Sequence, residues 1–274
     1  MARIAVIGGT GVYDPSMFSN LEERTVDTPY GTVECTVGEH AGKSTVFLAR
    51  HGRGHSVPPH RINYRANIWA LKRLDVSVIL ATTAVGSLNP AFKPGDFVMP
   101  DQFLDFTKSR ISTFFEGGER GVVHVDVTEP YCSITRAHIV RTAEELSKEG
   151  TPVSIHNGGV YVCTEGPRFE TPAEIAMYRM LGADLVGMTN VPEVVLAAEA
   201  EMRYVTISMV TNAAAGMSGE ELTHGEVLDM MADMSGRMKA LLQRAIETVD
   251  ENEDAPALHR LAEYGGFSLC GAER

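Results

Sequence analysis

Seven short runs rich in apolar and β-branched residues recur along the chain: Ile4–Ile7, Ser44–Ala49, Val76–Thr82, Asp96–Met99, Val153–Val162, Asp184–Met188 and Tyr204–Val210. Several are continuous rather than alternating, which is the pattern of strands covered on both faces. Stretches with helical spacing separate many of them. Asn63–Leu74 carries Ile68, Leu71 and Leu74 three apart, and Ser133–Glu149, Pro172–Leu181, Val191–Met202 and Gly225–Val249 follow the same logic. Strands alternating with helices, with no Pro/Gly/Ser linker between halves, predict one α/β domain over residues 1–250. Asn190, Pro192 and Glu193 read as cap, first-turn proline and N-x-x-E capping box of one helix. The stretch 107–121, TKSRISTFFEGGERG, reads as a mobile surface loop, and the acidic end from 251 to 274 as a peripheral, poorly ordered tail.

Charge and cysteine usage narrow the partners. A formal net charge of −12, from 36 acidic and 24 basic residues, argues against a general nucleic-acid surface. It leaves room for a small anion held by a few buried basic groups. Cys35, Cys132, Cys163 and Cys270 are scattered, with no C-x-x-C pair and no signal peptide at MARIAVIGG, so reduced thiols in a cytoplasm are expected. No apolar stretch approaches a membrane span.

Residues 4–14, IAVIGGTGVYD, resemble the first strand and turn of a nucleotide-binding sheet. Gly8, Gly9 and Gly11 are present, but counting from Gly9 and Gly11 the third fingerprint glycine falls at Asp14, and no ribose-binding acid ends a clear second strand. A single phosphate, held by backbone N–H groups and the Thr10 hydroxyl, suits the turn better than a dinucleotide; a purely structural turn is the alternative. Three further strand ends tip the balance. ARHGRGH brings Arg50 and His51 out together, TTAVGSL offers Thr82, Thr83 and the Ala84 N–H, and GMTNVPE places Thr189 before a helix. Four such ends converging favour a site for one tetrahedral oxyanion, phosphate or sulfate.

Taken together, GGTG, RHGRGH, NYRANIWALK, TTAVGSL with PGDFV, EGPRFETPAE and MTNVPEVVLA resemble the trimeric purine nucleoside phosphorylase and methylthioadenosine phosphorylase family, from about residue 3 to about residue 245. The resemblance implies a three-layer α/β domain with a central mixed, partly barrel-like sheet flanked by helices. It also implies a homotrimer, alone or paired as a hexamer. The implied reaction is phosphorolysis of a purine nucleoside to base and pentose 1-phosphate, with inorganic phosphate as co-substrate and neither metal nor organic cofactor. Its phosphate site falls on Thr10, Arg50, His51, Thr83, Ala84 and Thr189. Met188 matches the residue against the ribose, Phe169 the aromatic on the purine face, and Asn212 in TNAAAG, with Ala213 and Ala214 after it, the base-recognition segment. His124 resembles a residue that a neighbouring subunit contributes near the sugar.

Breaking the glycosidic bond develops positive charge on the ribose and negative charge on the departing purine, so positioning and electrostatics carry the reaction. Arg50 and His51 serve the phosphate, and Asn212 the purine N7. Two positions choose the base. Methylthioadenosine enzymes typically carry serine after the stacking Phe and aspartate in place of Asn212; here those positions are Glu170 and Asn212. A carboxylate accepts from N1–H and an amide donates to O6, which fits hypoxanthine or guanine rather than adenine. An ordinary helix-dipole charge is the alternative role for Glu170, and a turn residue the alternative for Asn212. His224, where an apolar residue favours a methylthio group, points to a 5′-hydroxyl or is simply a helix cap. Inosine and guanosine are the expected substrates, with 5′-methylthioinosine or 5′-methylthioadenosine as the alternative.

Overall fold

A computed structural model describes residues 4–9, 12, 17–217 and 224–269, apart from the side chains of Arg53, His224, Glu226 and Val227. Thr10 therefore lies outside the described residues, as does the His224 side chain. Eleven described strands form one mixed sheet. They are β1 (Ile4–Gly8), β2 (Ser19–Thr28), β3 (Gly31–His40), β4 (Lys43–Ala49), β5 (Val78–Ser87), β6 (Phe97–Met99), β7 (Gln102–Phe106), β8 (Ile155–Asn157), β9 (Val160–Thr164), β10 (Leu185–Gly187) and β11 (Arg203–Ala213). The path runs β2-β3-β4-β1-β5-β10-β9-β7, and β11 branches from β5 to carry β6 and β8. The helices are α1 (Tyr64–Arg73), α2 (Ser133–Lys148), α3 (Pro172–Met180), α4 (Asn190–Glu199) and α5 (His224–Thr248).

Alternation within the continuous apolar strands sorts the side chains into two cores. Ala5, Ile7, Val46, Leu48, Ile79 and Ala81 pack on α1 and α4 through Ile68, Trp69, Leu71, Val194 and Leu196. Ile4, Val6, Phe47, Val78, Leu80, Val205 and Ile207 face the other way, onto Ile139, Ala143, Met234, Met238, Leu241 and Leu242 of α2 and α5. The result is three layers, helix–sheet–helix. Each large apolar side chain so buried contributes about 1.5–3 kcal/mol, so the sheet's position is strongly fixed.

Three differences from the sequence reading have physical causes. The run Val153–Val162 is two strands, because Gly158 and Gly159 turn the chain at φ of 111° and 135°. β2 and β3 were not expected, since every residue of β2 is exposed or only half-buried; its pairing with β3 from Ser19 to Thr28 supplies the order that an apolar face would otherwise give. The stretch 107–121 is docked rather than loose. Arg110 donates to the carbonyls of Val191, Thr164 and Glu165 and to the Tyr64 hydroxyl, while Phe114 is buried and its N–H donates to Glu199 at 2.7 Å. Within the described part of the tail, Leu261 is buried, and the Glu201 carboxylate accepts from the N–H groups of Leu261 and Phe267.

β5 sets the position of the site. One edge pairs with β11 from Val78 to Ser87, whereas the other pairs with β1 only as far as Ala81 and with β10 only at Gly86 and Ser87. β1 and β10 part over Thr82–Val85, and the sheet opens there.

Candidate active site

A cavity of about 400 Å³ lies in that opening. Its volume is within the ordinary range for a small-molecule site. Gly9, Arg50, His51, Thr83, Ala84 and Thr189 line one part, and Phe169, Glu170, Met188, Asn212, Ala214 and Ala215 also contribute. All the described residues expected at the site are thus brought together except Ala213 and the exposed His124, neither of which lines the wall.

The anion end is built from backbone constraints. The Gly9 N–H donates to Thr82 Oγ1 at 2.9 Å, and a Cβ at Gly9 would stand 2.3 Å from the Thr82 carbonyl oxygen. Only glycine allows that approach. Thr82 therefore holds the turn, while its neighbour Thr83 lines the cavity with its hydroxyl 3.0 Å from Ser208 Oγ. Strand alternation separates the two roles.

Arg50 has a fully buried side chain. Its Nε and Nη2 donate to the two carboxylate oxygens of Glu193, each at 2.7 Å, and Nη1 donates to the Thr82 carbonyl at 2.7 Å. Two N–H bonds of the five remain for a ligand. Burial opposes the charge, but the Glu193 carboxylate outweighs it and holds Arg50 above its ordinary pKa. Glu193 does not make the capping box expected of it, because a buried guanidinium needs a counter-charge more than a helix end needs a second cap. Asn190 is turned inward too, donating to Thr206 Oγ1 and accepting from the Tyr131 hydroxyl.

His51 is buried, with Nδ1 2.8 Å from the Val57 carbonyl oxygen and its ring stacked on His55 at 4.6 Å. A carbonyl only accepts, so Nδ1 carries the proton and Nε2 presents a lone pair. Burial, with the Arg50 charge adding to it, pushes the His51 pKa down to about 4. The ring is neutral at pH 7.

At the base end, Glu170 accepts from the Thr164 hydroxyl at 2.7 Å, and burial raises its pKa. The helix-end role belongs instead to Thr171 and Glu174, whose reciprocal bonds form the capping box of α3. Glu170 is thereby free to face the cavity. Asn212 Oδ1 accepts from the Thr211 hydroxyl at 2.7 Å and its Nδ2 donates to the Ala213 carbonyl, leaving one amide N–H. Gly86 gives it room, since a Cβ there would come within 3.3 Å of Asn212 Nδ2. Phe169 stands 41% exposed at the mouth, positioned to cover a flat ring. Met188 packs on Gly166, where a Cβ would meet its sulfur at 2.6 Å.

Comparison with known proteins places this arrangement. A model of the phosphorylase superfamily matches residues 3–247. The chain belongs to that superfamily. A 6-oxopurine nucleoside phosphorylase of Pyrococcus furiosus is 55% identical over 255 residues, covering 91% of this chain and 94% of that protein. A probable S-methyl-5′-thioinosine phosphorylase of Methanothermobacter thermautotrophicus is 47% identical, covering 94% of this chain and 88% of its own length. The crystal structure of a methylthioadenosine phosphorylase from an antarctic soil metagenomic library superposes with a TM-score of 0.89 at 36% identity, covering 96% of this chain and 91% of that one.

Several wall residues of this superfamily member escaped the sequence reading: His55, Ser56, Pro58, Pro59, Val85, Gly86, Pro167, Val186, Gly187 and Thr211. Glu193 escaped as a partner of Arg50. Its signal was present, as an acid on an otherwise apolar helix face, NVPEVVLAAE.

Proposed function

We propose that this chain cleaves 6-oxopurine nucleosides, inosine and guanosine, with inorganic phosphate, yielding the free purine and α-ribose 1-phosphate. The observation that carries the reading is the pairing, in one cavity, of the Glu170 carboxylate and the Asn212 amide with the Arg50, His51, Thr83 and Thr189 cradle. Glu170 accepts from N1–H and the spare Asn212 N–H donates to O6 or N7, where negative charge gathers as the base departs. Arg50 and the threonine hydroxyls hold phosphate beneath the sugar, and His51 Nε2 accepts from its P–OH when one is present. Attack at the anomeric carbon forms the C–O bond as the C–N bond breaks, and the purine leaves with the bond's electron pair; a single displacement inverts the centre. Phosphate is the co-substrate, and neither a metal nor an organic cofactor is called for.

5′-Methylthioinosine is the second reading, favoured by the 47% identity to a relative so named. The base end serves both substrates. A homotrimer in the cytoplasm completes the proposal. Free, buried thiols at Cys35, Cys132 and Cys163 support a reducing compartment, and no described helix is long and apolar enough to cross a membrane. Rates on inosine, guanosine, adenosine and the two 5′-methylthio nucleosides, measured with phosphate present, test the choice of base. A 6-oxopurine preference is expected; faster cleavage of adenosine or methylthioadenosine would overturn the roles of Glu170 and Asn212.

A further inference from the structure

Arg50 is the one lysine or arginine among the described residues that line the cavity, and both carboxylate oxygens of Glu193 already engage it. Both side chains are fully buried, so neither charge is screened by water. His51 adds no charge at pH 7. The described cradle is therefore formally neutral at its anion end, although it receives a phosphate of one to two negative charges. Glu193 is itself fixed from behind. The Tyr204 hydroxyl donates to its Oε1 at 2.7 Å, and Tyr204 in turn accepts from Thr206, which accepts from Asn190, whose Oδ1 accepts from Tyr131. This chain joins α4 and β11 behind the Arg50 guanidinium.

We infer that Glu193 is a positioning residue that sets the charge of the anion site: it aims the Arg50 fork and cancels Arg50's charge, so that phosphate is held by directed donors and keeps its own negative charge for the ribosyl cation. The inference rests on the phosphorolysis reading. Its chemical sense follows from where charge moves. An uncompensated arginine would stabilise free phosphate in the ground state and oppose the positive charge growing on the sugar above it. Tight binding of that kind lowers KM without raising kcat.

The test is a double-mutant cycle on the full chain, reading phosphate binding by calorimetry and turnover of inosine separately. Glu193→Gln keeps the shape and one acceptor but removes the counter-charge. Phosphate is expected to bind about tenfold or more tightly, while kcat falls by about tenfold. Arg50→Gln leaves the carboxylate alone beside the anion and is expected to weaken phosphate binding by about a hundredfold or more. Adding Glu193→Gln to Arg50→Gln removes that repulsion and is expected to restore binding by about tenfold. If Glu193 only propped up the fold, Glu193→Gln would weaken phosphate binding, and the double variant would bind no better than Arg50→Gln. Either result overturns the inference and leaves the proposed function standing. Because the double variant carries no buried charge in this pair, it tests the point even if Glu193→Gln alone does not fold. Absence of phosphate binding by the unaltered chain would overturn both readings.

Discussion

The His51 ring combines burial, a donated Nδ1–H and a neighbouring arginine, and each acts on protonation. Because the folded pKa near 4 lies below the ordinary value of 6.5, the unfolded chain binds more protons between those values. His51 therefore contributes stability that is intact above pH 6.5 and is lost as pH falls toward 4, by about 3 kcal/mol in all. Denaturant midpoints measured across this window are expected to show the loss, and His51→Gln is expected to reduce it; a slope unchanged in the variant would contradict the assignment. Glu170 shifts the opposite way. Burial raises its pKa, so ionisation, and with it acceptance from N1–H, is completed only as pH rises through a value above the usual carboxylate range. Affinity for hypoxanthine is expected to weaken on the acid side of that value, a dependence that Glu170→Gln should abolish. Exchanging the pair, Glu170→Ser with Asn212→Asp, is expected to move relative kcat/KM from inosine toward adenosine by about tenfold or more. Arg50 and His51 were readable in the sequence as a basic pair at a strand end, whereas Glu170 and Asn212 were placed by the resemblance to the family and only then read for their hydrogen-bonding chemistry. Glu193 was not readable, since its role depends on Arg50, 143 positions away, rather than on its own helix.

At the scale of elements, the site exists because β5 outlasts β1 and meets β10 from the opposite direction. The sequence showed the apolar run to Thr82 but not its continuation to Ser87, because small residues in TTAVGS mimic a strand end. The β11 strand pairing along the far edge keeps that segment extended. Gly86 marks the same constraint, with Val186 Cγ1 at 3.1 Å and Asn212 Nδ2 at 3.3 Å from any added Cβ. Gly86→Val is expected to displace Asn212 and raise KM for the nucleoside more than for phosphate. Comparable changes in both values would show that the strand as a whole had moved. The 107–121 segment owes its docking to Arg110, whose donors reach three carbonyls. Arg110→Ala leaves those carbonyls without the guanidinium and is expected to cost about 3–5 kcal/mol, read from denaturant unfolding. A cost below about 1 kcal/mol would restore the view of this stretch as a loose surface loop.

For the whole molecule, strand–helix alternation was enough to give a single α/β domain, the resemblance to the family supplied the three layers, and apolar spacing set five helices close to their expected places. The polar β2 strand was invisible for the complementary reason: with every residue exposed or half-buried, its order comes from backbone pairing with β3, whose Val33 and Cys35 do reach the core. Light scattering is expected to give a mass three or six times 29.7 kDa; a monomer would contradict the proposed trimer. The central claim concerns the nucleophile. Incubating the chain with inosine, with and without inorganic phosphate, and following hypoxanthine together with the phosphorus resonance of the sugar phosphate tests it most directly. The account predicts hypoxanthine and ribose 1-phosphate in equal amounts, and no base release when phosphate is left out. Base release that proceeds equally without phosphate, with free ribose as the sugar product, would contradict it.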